Sequence, residues 1–132
     1  VTIGCAMIGR YFTTVFPLHV KDEEASIVPR LRGRSASLDA ALDRMHERHE
    51  IHEAMLGRFC DLTAALRMNP SDPRARSALA AVARPLQIVL DDHLLAEEQI
   101  VFPMIRETFS AKDCRIVRRE IEARHRRGHH DP

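Results

Sequence analysis

The sequence predicts an all-helical bundle, and three observations carry that reading. Glycine and proline are few, 5 and 7 in 132 residues. No stretch shows the apolar–polar alternation of β-branched residues that marks a half-buried strand. Apolar residues instead recur in steps of three and four, the spacing of one helix face. At 45% hydrophobic and 30% charged residues the chain has the make-up of one ordinary globular domain. That excludes a disordered tail or a collagen-like fibre, and no apolar run reaches membrane-spanning length. A net charge of +1 gives no strong field for a nucleic-acid partner.

The elements follow in order. A first helix is expected from about Ile3 to Val28, kinked at Pro17. Phe12, Val15 and Phe16 form its apolar stripe, which leads into His19 with Glu23 one turn further on. Arg30 to Ser35 makes a basic, glycine-containing connection. Ser35 or Ser37 then caps a long second helix reaching about Arg67, whose seam reads Leu42, Met45, His49, His52, Leu56, Phe59, Thr63 and Leu66. Asn69-Pro70-Ser71-Asp72-Pro73 is a stop and restart, with an N-cap candidate followed by proline at the first helical position. The third helix runs to about Arg106, with Pro85 inside it and Pro103 near its end. Its stripe is Leu79, Val82, Leu86, Val89, His93, Ala96 and Ile100, with Glu97 beside it. Ser110-x-x-Asp113 opens a short fourth helix that stops before Gly128.

Each long helix places histidine where its own pattern calls for leucine, and eight histidines is a high count for this length. Residues 19–29 read HVKDEEASIVP and residues 93–103 read HLLAEEQIVFP. Both are H-x3-E-E-x4-P, with the same apolar pair before proline. Histidine at i and glutamate at i+4 lie one above the other on a helix face, close enough to hold one ion together. A single H-x3-E is more often a solvated surface ion pair. Its duplication, on two apolar seams, reverses that preference, because an unpartnered buried carboxylate is costly. Imidazole with carboxylate suits iron, manganese or zinc rather than calcium or copper(I). His19, Glu23, His93 and Glu97, with His49 from the second helix, make five candidate ligands around a pair of metals. His52, three residues after His49, is a candidate additional ligand, the alternative being a core histidine bonded to a neighbour.

The other titratable groups read as peripheral. His46 falls off the seam. Arg124, His125, Arg126, Arg127, His129 and His130 belong to an arginine-rich terminus expected to be a solvated helix end, its cations favourable near the C-terminus. The only E-x-x-H, Glu122 to His125, lies in that segment and gives little support to a ferritin-like site, which uses that spacing on two helices. His46-Glu47-Arg48-His49 is one residue short of the zincin motif. No aromatic interleaving favours nucleic-acid stacking at the basic end. Cys5, Cys60 and Cys114 are odd in number and form no CxxC pair, so they read as small part-buried hydrophobes in a reducing cytoplasm. Val1-Thr2-Ile3-Gly4 has neither a basic n-region nor a cleavage site.

With these segments in hand, the chain resembles the hemerythrin-like HHE cation-binding family over nearly its whole length. The residues that carry the likeness are YFTTVFPLHVKDEEASIVPRL at 11–31, Met45 to His49, and HLLAEEQIVFPMI at 93–105. The resemblance implies an up-down four-helix bundle with a non-haem di-iron centre in its core. Carried over, His19, Glu23, His49, His93 and Glu97 are metal ligands, the two carboxylates bridge the metals, and Glu24 and Glu98 are outer-sphere groups. The family's order is a single His, then H-x3-E, then the same unit again. The first single His has no counterpart here. His49 precedes His93 by 44 residues, so a regular unit places the absent ligand about 25 positions before Val1. The expectation is one domain whose first bundle helix precedes the given sequence.

The resemblance implies binding of dioxygen, peroxide, nitric oxide or iron in a sensing or protective role, with two irons as cofactor and manganese or zinc compatible with the same ligands. A peroxide-decomposing enzyme is the first alternative, and a metal-free helical interaction module is the second. No membrane or nucleic-acid partner is expected, and oligomerisation is left open.

Overall fold

The structure, a computed structural model, describes residues 2–128, with the backbone alone for Thr2, Ile3, Cys5 and Gly128. His129 and His130 lie outside the described residues, as does the side chain of Cys5. Among the described residues there are no strands, and three short connections separate four helical runs. These are α1 (residues 2–31), α2 (Ala36–Met68), α3 (residues 73–108) and α4 (Ala111–Gly128). No helix among the described residues is long and apolar enough to cross a membrane.

Local chemistry sets each boundary. Arg32 leaves the helical region and Gly33 follows at φ 82°, a left-handed conformation open to glycine at no steric cost. The Gly33 N–H donates to Asp39 Oδ1 at 2.8 Å, and the Leu38 N–H donates to Ser35 Oγ at 3.2 Å, making Ser35 the cap of α2. Asp72 Oδ1 accepts from the N–H groups of Arg74 (2.8 Å) and Ala75 (3.3 Å), with Pro73 at the first helical position. Ser110 and Asp113 bond reciprocally. The Ser110 N–H and Oγ both donate to Asp113 Oδ2, and the Asp113 N–H donates to Ser110 Oγ. Two expectations are corrected here: α1 runs on to Leu31, and α4 includes Gly128 rather than stopping before it.

The chain divides into two compact units, Val1–Pro17 with Glu47–His93, and Leu18–His46 with Leu94–Pro132. In the first, Phe12 meets Tyr11, Phe16 and Phe59 edge-on at ring-centroid distances of 5.2, 6.1 and 5.9 Å. Leu56, Thr63, Leu66, Ala75 and Leu86 are buried in the same unit. Val15 is 47% exposed, so the stripe expected of α1 narrows to Phe12 and Phe16. In the second unit Val28, Leu31, Leu38, Leu42, Met45 and Val101 form one core, with Ile27, Ile100, Met104, Ile105 and Phe109 packed against it.

In that second unit α4 lies against residues 23–27, and the contact is polar. Asp22, buried, accepts from Arg124 and pairs with His125 Nε2 at 2.7 Å. Arg124 also donates to the fully buried Ser26 Oγ at 2.9 Å. Arg30 grips both oxygens of Glu120, at 2.7 and 3.1 Å, and donates to the Ser26 carbonyl at 2.6 Å. The expected solvated helix end is therefore corrected at Arg124, whose partners lie about a hundred positions upstream. Cys114 is exposed and Cys60 half-buried, so the reading of the cysteines as part-buried holds for Cys60 and fails for Cys114.

Three measurements test this account. Leu42→Ala should lower the unfolding free energy by about 2–5 kcal/mol in urea titration, since it empties a buried site. Asp72→Ala should cost about 1 kcal/mol by removing the α3 cap. The Arg30 guanidinium holds the Glu120 carboxyl below its usual range. A carboxyl with a lowered folded-state pKa stabilises above its unfolded value and loses that contribution as pH falls through the folded one. Glu120→Gln should therefore flatten the acid limb of the stability–pH profile and leave the neutral plateau only slightly lower.

Candidate metal centre

The repeated H-x3-E-E-x4-P segments fold into the same local structure. Each runs as α-helix through its histidine and widens into one π-helical turn at its paired glutamates. These turns are Glu23–Ile27 and Glu97–Val101, after which each helix resumes across a proline. The Val28 N–H bonds back to the Glu23 carbonyl, and the Phe102 N–H to that of Glu97, five residues rather than four. A third such turn, Tyr11–Val15, precedes Phe16-Pro17 and closes with the Phe16 N–H on the Tyr11 carbonyl. α1 thus stays helical through Pro17, the proline expected to kink it. Proline cannot donate to the carbonyl four residues back and its ring clashes with it. A widened turn just before it moves that carbonyl aside. The sequence signal is the apolar pair before proline, Val15-Phe16, Ile27-Val28 and Val101-Phe102. Pro85 follows Ala83-Arg84 and sits in uninterrupted α-helix.

In the second unit these turns bring Glu23 and Glu97 to His19. His19 Nε2 lies 3.8 Å from Glu23 Oε1 and 3.7 Å from Glu97 Oε1. One ligand atom from each of the three lies within 4.8 Å of the others. Both glutamates are only 2% exposed, whereas His19 is 41% exposed. Glu97, at ion-pair distance, raises the His19 pKa above the usual imidazole value; burial opposes that shift and Glu23 adds to it. Glu24 faces away from Glu23 and pairs with His46 Nδ1 at 3.1 Å, while Glu98 is exposed.

In the first unit three histidines are packed together. His49, His52 and His93 are buried, and the His93 ring meets those of His49 and His52 edge-on, each at 4.8 Å between centroids. His52 also meets the edge of Phe16. The His52 Nε2–H donates to the Val89 carbonyl at 3.3 Å, which leaves Nδ1 as a bare acceptor, buried and without a hydrogen-bond partner. Burial and the neighbouring His93 push the His52 pKa down to about 4, so the ring stays neutral at physiological pH. His93 lies on α3 four residues, one helical turn, before Glu97.

The predicted site residues are thus placed as follows. His19, Glu23 and Glu97 are together in one unit, and His49, His52 and His93 are together in the other. His46 and His125 are bound to carboxylates away from these groups. Sequence reading missed Asp22, Ser26 and Arg124. Asp22 stands where the second copy of the motif has Ala96, so the repeat itself gives no hint of it. Two buried carboxylates beside an imidazole, and three buried imidazoles one of which presents an unused nitrogen lone pair, fit a borderline divalent metal by donor type. They do not fit an apolar core, where such groups are costly.

The family model described as the hemerythrin HHE cation binding domain matches residues 4–105. No curated protein and no solved structure matches the chain. The matched stretch holds both H-x3-E segments, all three wide turns and the three packed histidines, and it spans well over half of the sequence. The chain belongs to the hemerythrin HHE cation-binding domain family.

Proposed function

We propose that this protein is a non-haem di-iron protein that binds dioxygen, peroxide, nitric oxide or iron itself in a sensing or protective role, in the cytoplasm. The observation that carries the reading is the burial of Glu23 and Glu97, each 2% exposed, with His19 as the neighbouring imidazole. Carboxylates removed from water are costly unless a cation or a hydrogen-bond donor answers them, and a divalent metal is a cation that imidazole and carboxylate together suit. His19, Glu23, His49, His93 and Glu97 would be the ligands in this reading. His52 is the candidate further ligand, its Nδ1 being the nitrogen left open by its bond to Val89. Iron held by such groups would supply redox-active Lewis-acid chemistry toward a small molecule.

The chain's own residues do the rest. Glu23 and Glu97 neutralise metal charge. His52, neutral, offers a lone pair without a competing proton. The half-exposed ring of His19 puts that side of the group in reach of solvent and of a diatomic or peroxide ligand. Glu24 pairs with His46.

Metal analysis tests the reading directly. Protein purified without added metal should carry about two irons per chain, the number a paired-carboxylate site takes. Glu97→Ala should remove most of that iron, while Glu98→Ala, at an exposed position, should leave it unchanged. Absence of any transition metal after anaerobic iron reconstitution would overturn the proposal. Peroxide consumption by the iron-loaded protein, lost in His93→Ala, would assign an enzymatic rather than a binding role.

A further inference from the structure

Three wide turns occur among the described residues, and each ends two residues before a proline. Two of them begin on the glutamates Glu23 and Glu97. At Pro85 the helix remains regular, so proline alone does not widen it. What distinguishes the three sites is a β-branched residue followed by a second apolar residue ahead of the proline. In the first copy this pair also anchors the helix to the core of the second unit, Val28 being 6% exposed with Ile27 packed beside it. In the second copy Val101 is 3% exposed but Phe102 is 38% exposed, so the pair is buried in the first copy alone.

In the first copy the helix phase is therefore fixed at two points. Ahead of the turn it is fixed by the inward glutamate, and after it by the inward apolar pair. In a regular helix residues four apart share a face, and a residue five along is rotated well round the axis. Glu23 and Val28 are five apart and both buried, an arrangement that a turn closed by a five-residue hydrogen bond accommodates. Alanine in place of the proline would restore an N–H able to close a regular turn on the carbonyl four residues back. Reclosing it with the apolar pair held in the core would rotate the glutamate out of its inward position.

We propose that Pro29 is a positioning residue for the metal centre. It keeps the turn before it wide, so that Glu23 projects inward while Ile27 and Val28 stay packed in the core. This rests on the metal-binding reading above.

The test uses cobalt(II), which accepts nitrogen and oxygen ligands and reports its coordination in visible absorption. Wild type, Pro29→Ala and Pro85→Ala are titrated with cobalt(II), and the Tm of each is measured without metal. The expected result is a Pro29→Ala variant that binds cobalt(II) about tenfold or more weakly, the range for residues that orient ligands. Its metal-free Tm should be equal to or above that of wild type, because an α-helical bond has been gained. Pro85→Ala should bind as wild type does. A purely structural role for Pro29 predicts the opposite coupling, with affinity and Tm falling together, and that result overturns the proposal. Unchanged cobalt(II) affinity in Pro29→Ala also overturns it, as does an equal loss in Pro85→Ala. If Pro29→Ala does not fold, Pro29→Ser, which restores the same N–H, carries the same two readouts and criteria. A wild-type chain that takes up no cobalt(II) overturns the metal reading itself, an outcome distinct from failure of the variants.

Discussion

Two glutamates removed from water impose the constraint on which the rest of this structure depends. Glu23 and Glu97 lie beside His19 within one packed unit, each almost wholly buried. The price of that burial is several kcal/mol per charge unless a cation answers it. A helix cannot turn a glutamate inward without also choosing what the next turn presents. α1 and α3 meet this in the same way, by widening one turn and letting an apolar pair and a proline follow. The duplication of sequence is a duplication of backbone irregularity. Irregular helix is found where it serves a site more often than where it serves only packing.

The same constraint reaches the C-terminal helix. The wide turn at 23–27 has Asp22 and Ser26 buried beside it, and neither belongs to the apolar core. Arg124 and His125 satisfy Asp22, Arg124 also holds Ser26, and Arg30 closes on Glu120 from the other direction. An arginine placed between a buried carboxylate and a buried hydroxyl has a planar fork suited to both. Removing one member of such a network leaves its partners desolvated, which costs more than the pair was worth. α4 thus completes the polar side of the turn that carries Glu23, although it lies beyond the stretch matched by the family model.

The histidines divide by environment rather than by number. Those at seam positions on α2 and α3 are buried and ring-packed, and His52 is held neutral with one nitrogen committed to a backbone carbonyl. Those outside the seams are bound by single carboxylates at the surface, His46 by Glu24 and His125 by Asp22.

Sequence by itself determined the helices, their caps and the identity of the repeated polar motif, because these depend on local spacing and on side chains a few residues apart. Ser35, Asp72 and the Ser110–Asp113 pair could be read as caps from neighbouring residues alone. The seam of α2 was legible for the same reason, down to the histidines standing in for leucine. The tertiary structure decided what local spacing does not encode. Val15 sits on the apolar side by sequence and faces solvent in the fold. Arg124 reads as one more terminal cation until Asp22, some hundred residues away in the chain, is brought against it. The wide turns belong to both levels. Their signature, an apolar pair before proline, is written in the sequence, but the burial of Glu23 and Val28, five residues apart on one helix, is decided by packing.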